Sequence, residues 1–350
     1  MGDEKMFNYL LLSGLQQLKG QRSTASLYHI LMGRRSTQTI QDAHFYQMTQ
    51  FYSIYPKLKR EDFESSILHL VKQNYLEINK EGVAKLLSDG ESFLEKQLYL
   101  KVIASFKGIE SAKKAAIFSQ RLLLTIQTFA NLSVESNQFQ PVTDDLAIQQ
   151  WVKDYYKNNS DLKSWLRQTY EQLMSFLASI DEVQATIFAS RLSGYRKYGQ
   201  SIQQLASKHQ LSVHDINLLL VASFHQLVDY IEVNQVNILI EFIPVEEQQT
   251  NKFVTQSAKQ TYQMLKKGYT IDQVMRVRRL KRSTIEDHII ELTYAMPNFN
   301  LSAFINEKDL QTITERIQDV SDLRLSSIKK QLDDKFDYFQ IRLAMAKVSQ

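Results

Sequence analysis

Apolar residues recur at helical spacing from the start of the chain. Phe7, Leu10, Leu11, Gly14, Leu15 and Leu18 fall on one stripe and predict an amphipathic helix over residues 1–18. Three further helices are predicted at about 23–32, 37–51 and 60–73. The period then shortens to two over 75–79 and 83–87, around Lys80, Glu81 and Gly82, which predicts a β-hairpin. Three helices followed by a hairpin make a winged helix. Residues 91–240 read as helix almost throughout, with loop signals at 133–140, 158–160 and 192–200. Leu122, Leu123, Ile126 and Phe129 share one apolar face, and Trp151, Tyr155, Tyr156, Trp165, Tyr170 and Phe176 read as core anchors. No interleaving of aromatics with cations predicts a base-stacking platform here, and no fixed-period repeat is expected. Residues 241–256 mix Pro, acids and Gln and read as a linker. Beyond them, helices are predicted over 257–267, 270–277, from 283 onward, and near 307–320, 325–335 and 337–347. The expected fold is mostly α, with a winged-helix domain at 1–95, a helical middle domain at 96–240, a linker at 241–256 and a helix-turn-helix bundle at 257–350.

Charge changes the picture in one place. Residues 259–282 hold eight Lys or Arg against the single acid Asp272, while the whole chain of 350 residues carries a formal charge of only +4. The cluster sits on a helix, a stop at Gly268, a short helix capped by Thr270 and a basic turn at 278–282. A third helix follows, expected to be capped by Ser283 or Thr284 with Glu286 and Asp287 in reach. Ile271, Val274, Met275, Ile285, Ile289, Ile290 and Leu292 are predicted to face inward. A helix-turn-helix uses such a turn to meet phosphates and the first residues of its third helix to reach base edges. The candidate DNA-binding residues are therefore Lys266, Lys267, Arg276, Arg278, Arg279, Lys281, Arg282, Ser283, Thr284 and His288. Arg282, Ser283, Thr284 and His288 are the candidate readers and the other cations are the phosphate contacts. The alternative is a merely solvated basic turn. A second set, Arg22, Arg34, Arg35, Lys57, Lys59 and Arg60, lies in the N-terminal segment. Each reads singly as a solvated turn residue, and together they are secondary candidates for DNA or partner contact.

Two near-motifs occur in the middle segment. GYRKYGQS (194–201) has P-loop spacing, but Gln200 stands where the phosphate-binding Lys belongs and no apolar strand precedes it. SIQQLASKHQLSVHDINLLLVASF (201–224) has the apolar skeleton of a helix-turn-helix, yet its second helix offers nothing polar to a base edge, so it reads as a packing unit.

Over roughly residues 20–95 the sequence resembles the winged-helix (RQC) domain of RecQ-type helicases. The resemblance is carried by Gly20, ILMGRRS (30–36), residues 40–44 and ILHLVKQNYLEI (67–78), ending in Ser88, Asp89 and Gly90. In that family the domain contacts duplex DNA near the fork. The four-Cys zinc module and the motor of that family are missing here, and the third helix opens with Glu61, Asp62 and Glu64, which repel phosphate. GYTIDQVMRVRRLKRSTIEDHIIEL (268–292) and FDYFQIRLAMA (336–346) resemble the helicase-associated helix-turn-helix domain at the C-terminus of some RecQ-type helicases. The whole chain is similar to the YpbB-type proteins of Gram-positive bacteria, which combine these parts as chains separate from a RecQ-type helicase. The resemblance implies partnership with such a helicase.

Composition excludes several alternatives. The chain has no Cys, which removes disulfides and thiolate zinc sites and fits a reducing compartment. The opening MGDEKMF lacks a cationic secretory region, and apolar runs such as LLLVASF (218–224) fall far short of a membrane span. His29, His44, His69, His209, His214, His225 and His288 form no i, i+4 pair, so no metal site is expected, and no nucleophile motif appears. The expected function is a non-enzymatic, cofactor-free DNA-binding adaptor for a RecQ-type helicase in repair, replication or recombination, cytoplasmic and nucleoid-associated, with no membrane partner. The competing readings are a sequence-specific helix-turn-helix transcription regulator and a purely protein-contacting scaffold.

Overall fold

The computed structural model describes residues 5–245, 254–296, 298–320 and 322–349. The described residues are mostly helical, with one two-stranded sheet. The chain opens with α1 (Lys5–Gln17), α2 (Thr24–Met32), α3 (Thr37–Phe45) and α4 (Arg60–Lys72). There follow β1 (Leu76–Ile78), β2 (Ala84–Leu86) and α5 (Ser88–Glu95). The strands pair antiparallel in the register Leu76–Leu86, Glu77–Lys85, Ile78–Ala84. Ser23 bridges to Val83, which sets the start of α2 against this hairpin. The helices and the hairpin expected from periodicity are present in this segment.

Two local expectations are corrected. The helix expected over 37–51 stops at Phe45 and resumes as a 3₁₀ turn at Thr49–Phe51, because Gln47 turns into the left-handed region at φ 54°. The one-faced helix at the start is buried on nearly every side, Asn8, Tyr9 and Leu12 included, since α1 is enclosed by α2, α4, α5, β2 and a long helix from the middle of the chain. Gly33 ends α2 at φ 69°, where a Cβ would stand 2.4 Å from that of Ser53, so the loop after α2 closes down only on glycine.

The middle of the chain contributes α6 (Leu100–Ala104), α7 (Gly108–Leu132), α8 (Leu146–Lys157), α9 (Leu162–Leu177) and α10 (Glu182–Ser190), then α11 (Ile202–His209), α12 (Val213–Asn234) and α13 (Asn237–Ile240). Phe118, Phe129, Trp165, Phe176, Phe188, Leu227 and Phe242 form its core. Of the predicted aromatic anchors, Trp165 and Phe176 are buried and Trp151 and Tyr155 half-buried, with the Trp165 indole donating to the Tyr155 hydroxyl at 3.0 Å. Tyr156 and Tyr170 are exposed. Phe242 ties part of the expected linker into this core, while 246–253 lie outside the described residues. By length and composition α12 is apolar enough to cross a bilayer, although half of its most apolar window is buried within the protein, as in a core helix.

The last segment contains α14 (Gln256–Lys266), α15 (Ile271–Arg278), α16 (Arg282–Ala295), α17 (Glu307–Asp319), α18 (Leu325–Gln331) and α19 (Tyr338–Val348). It shares one apolar core with the first segment, running from Phe7 and Leu31 to Ile289 and Ala344. The joint is α3, which packs on α16 and α19. Its polar side chains are buried by that docking: Gln41 accepts from Arg342 Nε (3.1 Å) and its amide reaches Met345 Sδ (3.5 Å). His44 stacks on Tyr294 with centroids 4.7 Å apart. An unpaired buried amide costs on the order of 1–3 kcal/mol, so these partners decide whether the joint holds.

Two turns of similar construction occur in the chain. Residues 199–216 and 268–285 align in sequence with a shift of 69 positions, Gly199 against Gly268. Ser201 and Thr270 both build capping boxes, with Gln204 and Gln273. Gln210 and Arg279 both end their helix in the left-handed region, at φ 55° and 52°. The next amide in each, of Leu211 and of Leu280, donates back to the carbonyl of Ala206 and of Met275. The chain therefore contains two helix-turn-helix turns of the same construction. Few side chains are shared between them; the common feature is cap, turn and apolar spacing.

Candidate nucleic-acid interface

The two turns differ in what covers them. In the first, the opening of α12 is occupied by the N-terminal segment. His214 stacks on Phe7 with centroids 4.5 Å apart and bonds the Tyr55 hydroxyl at 3.0 Å, and buried Asp215 accepts from the Phe7 amide at 2.8 Å. The packing role read from the sequence describes this copy. In the second, the opening of α16 is bare, with Lys281, Arg282 and Ser283 exposed and Thr284 half-buried.

The second turn has its expected form. Gly268 stops α14 at φ 85°, Thr270 caps α15, and α14, α15 and α16 pack mutually through Ala258, Val274, Ile285 and Ile289. The cap of α16 is corrected: the helix begins at Arg282, with Lys281 in the cap position and no side-chain cap bond, so Ser283 and Thr284 lie inside the first turn.

Within this frame the predicted residues separate into two groups. Lys266, Lys267, Arg276, Arg279 and Lys281 are exposed. Lys266 and Lys267 stand at one end of α15 and Arg279 and Lys281 at the other, about 12 Å apart for eight residues. Arg278 and His288 are corrected, because they face into the bundle. Arg278 donates to Ser257 O (2.7 Å), Ser257 Oγ (2.9 Å) and Gln260 Oε1 (3.0 Å), and it also reaches Thr261 Oγ1. His288 is buried, with Nδ1 2.8 Å from Thr261 Oγ1. Burial, and then the neighbouring Arg278 charge, lower its pKa to about 4. Neither is available to a base or a phosphate. Arg282 is exposed but bonds Glu286 (Nε, 2.9 Å) and Asp272 (Nη1, 3.2 Å), so a phosphate must compete with two carboxylates for it. Past the first turn α16 is closed off: Asp287 pairs with Arg342 at 2.8 Å and Glu291 accepts from the amide and hydroxyl of Thr255. The open end thus presents exposed cations and little of the α16 surface beyond its first turn.

Arg278→Ala should therefore act on stability and leave the exposed charge in place. Removing several charge-assisted bonds from a half-buried site should cost about 2–3 kcal/mol. A thermal melt monitored by circular dichroism checks this; an unchanged midpoint contradicts the inward role.

The secondary set is also divided. Arg22 is held against buried Asp42 at 3.0 Å and is corrected to a structural residue. Arg34 bonds His29 Nε2 at 2.9 Å, and Arg60 pairs with Glu64 at 2.7 Å and lies over the Tyr28 ring. Arg35, Lys57 and Lys59 are exposed. The outward face of α4, the helix before the hairpin, carries Glu61, Asp62 and Glu64 at its start and then Leu68, 59% exposed, and Val71. That face suits a protein better than a polyanion. Among the described residues no group of three or more His, Asp or Glu side chains is placed to hold a metal ion.

The described residues are mostly helical and end in a helix-turn-helix domain. Residues 257–345 match the family described as a helix-turn-helix domain. The chain is similar to Protein YpbB of Bacillus subtilis (strain 168), with 28% identity over 343 residues that cover 97% of each chain. No solved structure matches it.

Proposed function

We propose that this protein is a DNA-binding accessory of a RecQ-type DNA helicase, acting in repair, replication or recombination, cytoplasmic and nucleoid-associated, with no motor or catalytic step of its own. One observation carries the reading. A single core holds an open, basic helix-turn-helix end and, before the hairpin, the helix α4, whose outward face is acidic and apolar. The first suits DNA backbone and the second suits a protein, which is the division of surfaces an adaptor needs. The sequence resemblance of residues 20–95 to a helicase winged helix supports a helicase as that partner. A sequence-specific regulator fits less well, since base readout needs more of the reading helix than the single free turn of α16.

The test is co-purification with the cognate helicase after nuclease treatment, followed by unwinding assays with and without the protein. Absence of both retention and stimulation sinks the proposal. Leu68→Glu should reduce helicase retention at least tenfold and leave duplex binding within twofold. A fall in duplex binding of equal size would mean that this face contacts DNA. Equal affinity for unrelated duplexes at fixed salt sets the regulator aside.

A further inference from the structure

The two helix-turn-helix copies differ most in the loop that joins their first and second helices. In the second copy residues 267–269 suffice. In the first copy residues 191–200 make the same connection, and the extra length is extruded as a small hairpin. Gly194 and Lys197 exchange backbone bonds at 2.8 and 3.2 Å, leaving Tyr195 and Arg196 at the tip. The base is pinned: the Gly199 amide donates to Ser193 Oγ (2.9 Å), the Gln200 amide to Ser190 O (2.8 Å), and half-buried Arg191 reaches the Gln200 carbonyl. Gly199 lies so close to Arg191 that a Cβ there would meet the Arg191 carbonyl oxygen at 2.2 Å.

This pinned loop presents Tyr195, Arg196, Lys197 and Tyr198, all exposed, with Tyr198 83% exposed. Arg196 lies over the Tyr195 ring at 5.1 Å. Residues 183–214 contain no Asp or Glu at all. Two outward aromatic rings flanking two cations, on a loop ordered by its own hydrogen bonds and in an acid-free stretch, are the elements of a stacking platform for unpaired bases. The sequence reading missed it because it weighed helical aromatic faces, where rings are core, and treated 194–201 only as a failed P-loop. Duplex DNA offers no base face to such rings, whereas a single strand offers one at each nucleotide.

We infer that the Tyr195–Tyr198 hairpin is a single-stranded DNA contact, separate from the C-terminal basic turn. The inference goes beyond the accessory reading and does not depend on it. Tyrosine rings stack on successive bases while Arg196 and Lys197 meet the intervening phosphates.

The test uses the full chain, a fluorescein-labelled thirty-nucleotide oligo(dT) and a labelled twenty-base-pair duplex, followed by anisotropy at 50 mM salt. Tyr195→Ala with Tyr198→Ala should weaken oligo(dT) binding at least ~tenfold, and duplex binding should stay within about twofold. Tyr195→Phe with Tyr198→Phe should keep oligo(dT) binding within about threefold, because the rings remain. Arg196→Ala with Lys197→Ala should flatten the salt slope for oligo(dT) by about 1.4. Melting midpoints should not move for any of these exposed substitutions. Unchanged oligo(dT) affinity in the double alanine variant overturns the inference, as does wild-type oligo(dT) binding too weak to measure. Equal loss on both probes also overturns it. Failure of the wild type to bind duplex would instead count against the C-terminal site and leave the oligo(dT) comparison standing.

Discussion

A chain carrying Arg276→Glu, Arg279→Glu and Lys281→Glu should lose at least about 100-fold in duplex affinity at 50 mM salt and melt where the wild type melts. All three side chains are exposed, and among the described residues none is paired with a carboxylate. They therefore contribute little to the fold, where exposed charges are worth about 0–1 kcal/mol each. Their positions, at the end of α15, in the left-handed turn and at the cap of α16, place them together at the open end. If about four phosphates are neutralised there, the logarithm of the affinity should fall against the logarithm of salt with a slope near −3.6. That is a loss of roughly 150-fold between 50 and 200 mM. Reversing three of the charges should flatten that slope to near −1. Anisotropy titrations at four salt concentrations measure both quantities. An unchanged slope in the triple variant would place the DNA site elsewhere. Arg278→Ala serves as the opposite control, with stability lost and the slope retained.

The contrast between Arg278 and Arg279 shows where sequence reading ends. Periodicity located α14, α15 and the turn, because Gly268, Thr270 and the apolar positions of α15 act within a few residues of one another. Neighbouring arginines are equivalent to such a reading. They are separated by helical phase, by the left-handed turn at Arg279 and by the carbonyl of Ser257 twenty-one residues away. His288 was missed for the same reason: its partner is Thr261, on another helix. The polar face of α3 was the larger concealment. Nothing near Gln41 and Asp42 in the sequence marks them as buried, yet both lie inward in α3, which packs on α16 and α19 from the far end of the chain. Conversely, the acids at the start of α4 were legible from composition, and the structure leaves that face outward.

Acid should unfold this protein between pH 6.5 and 4 through three histidines, His225 and His288 buried and His44 half-buried. Burial lowers His44, His225 and His288 to about 4, with Lys107 adding to the effect at His225 and Arg278 at His288. Above pH 6.5 all three are neutral in both states, and their contribution to stability is complete. Below it the unfolded chain binds protons that the folded chain refuses, so stability falls with pH until the folded value near 4 is reached. Each group then accounts for up to about 3 kcal/mol, and the three together are comparable with a typical total stability of about 5–15 kcal/mol. Asp42 and Glu291 are both pushed up by burial and oppose this loss as the pH falls, because the folded state takes up their protons more readily. His44 lies where the first and last segments meet, against Tyr294, so its protonation strains the joint itself. His225 accepts the Lys107 amide at 3.0 Å through Nδ1, and a proton there removes an acceptor. His44→Phe keeps the stacked ring and removes the titration, so its acid midpoint should move down by at least about half a pH unit. Both tryptophans lie in the middle body, at 151 and 165, so their emission reports that body while far-ultraviolet circular dichroism reports the whole chain. Stability unchanged from pH 7 to pH 4, or an identical midpoint in His44→Phe, would mean that these imidazoles do not govern acid unfolding.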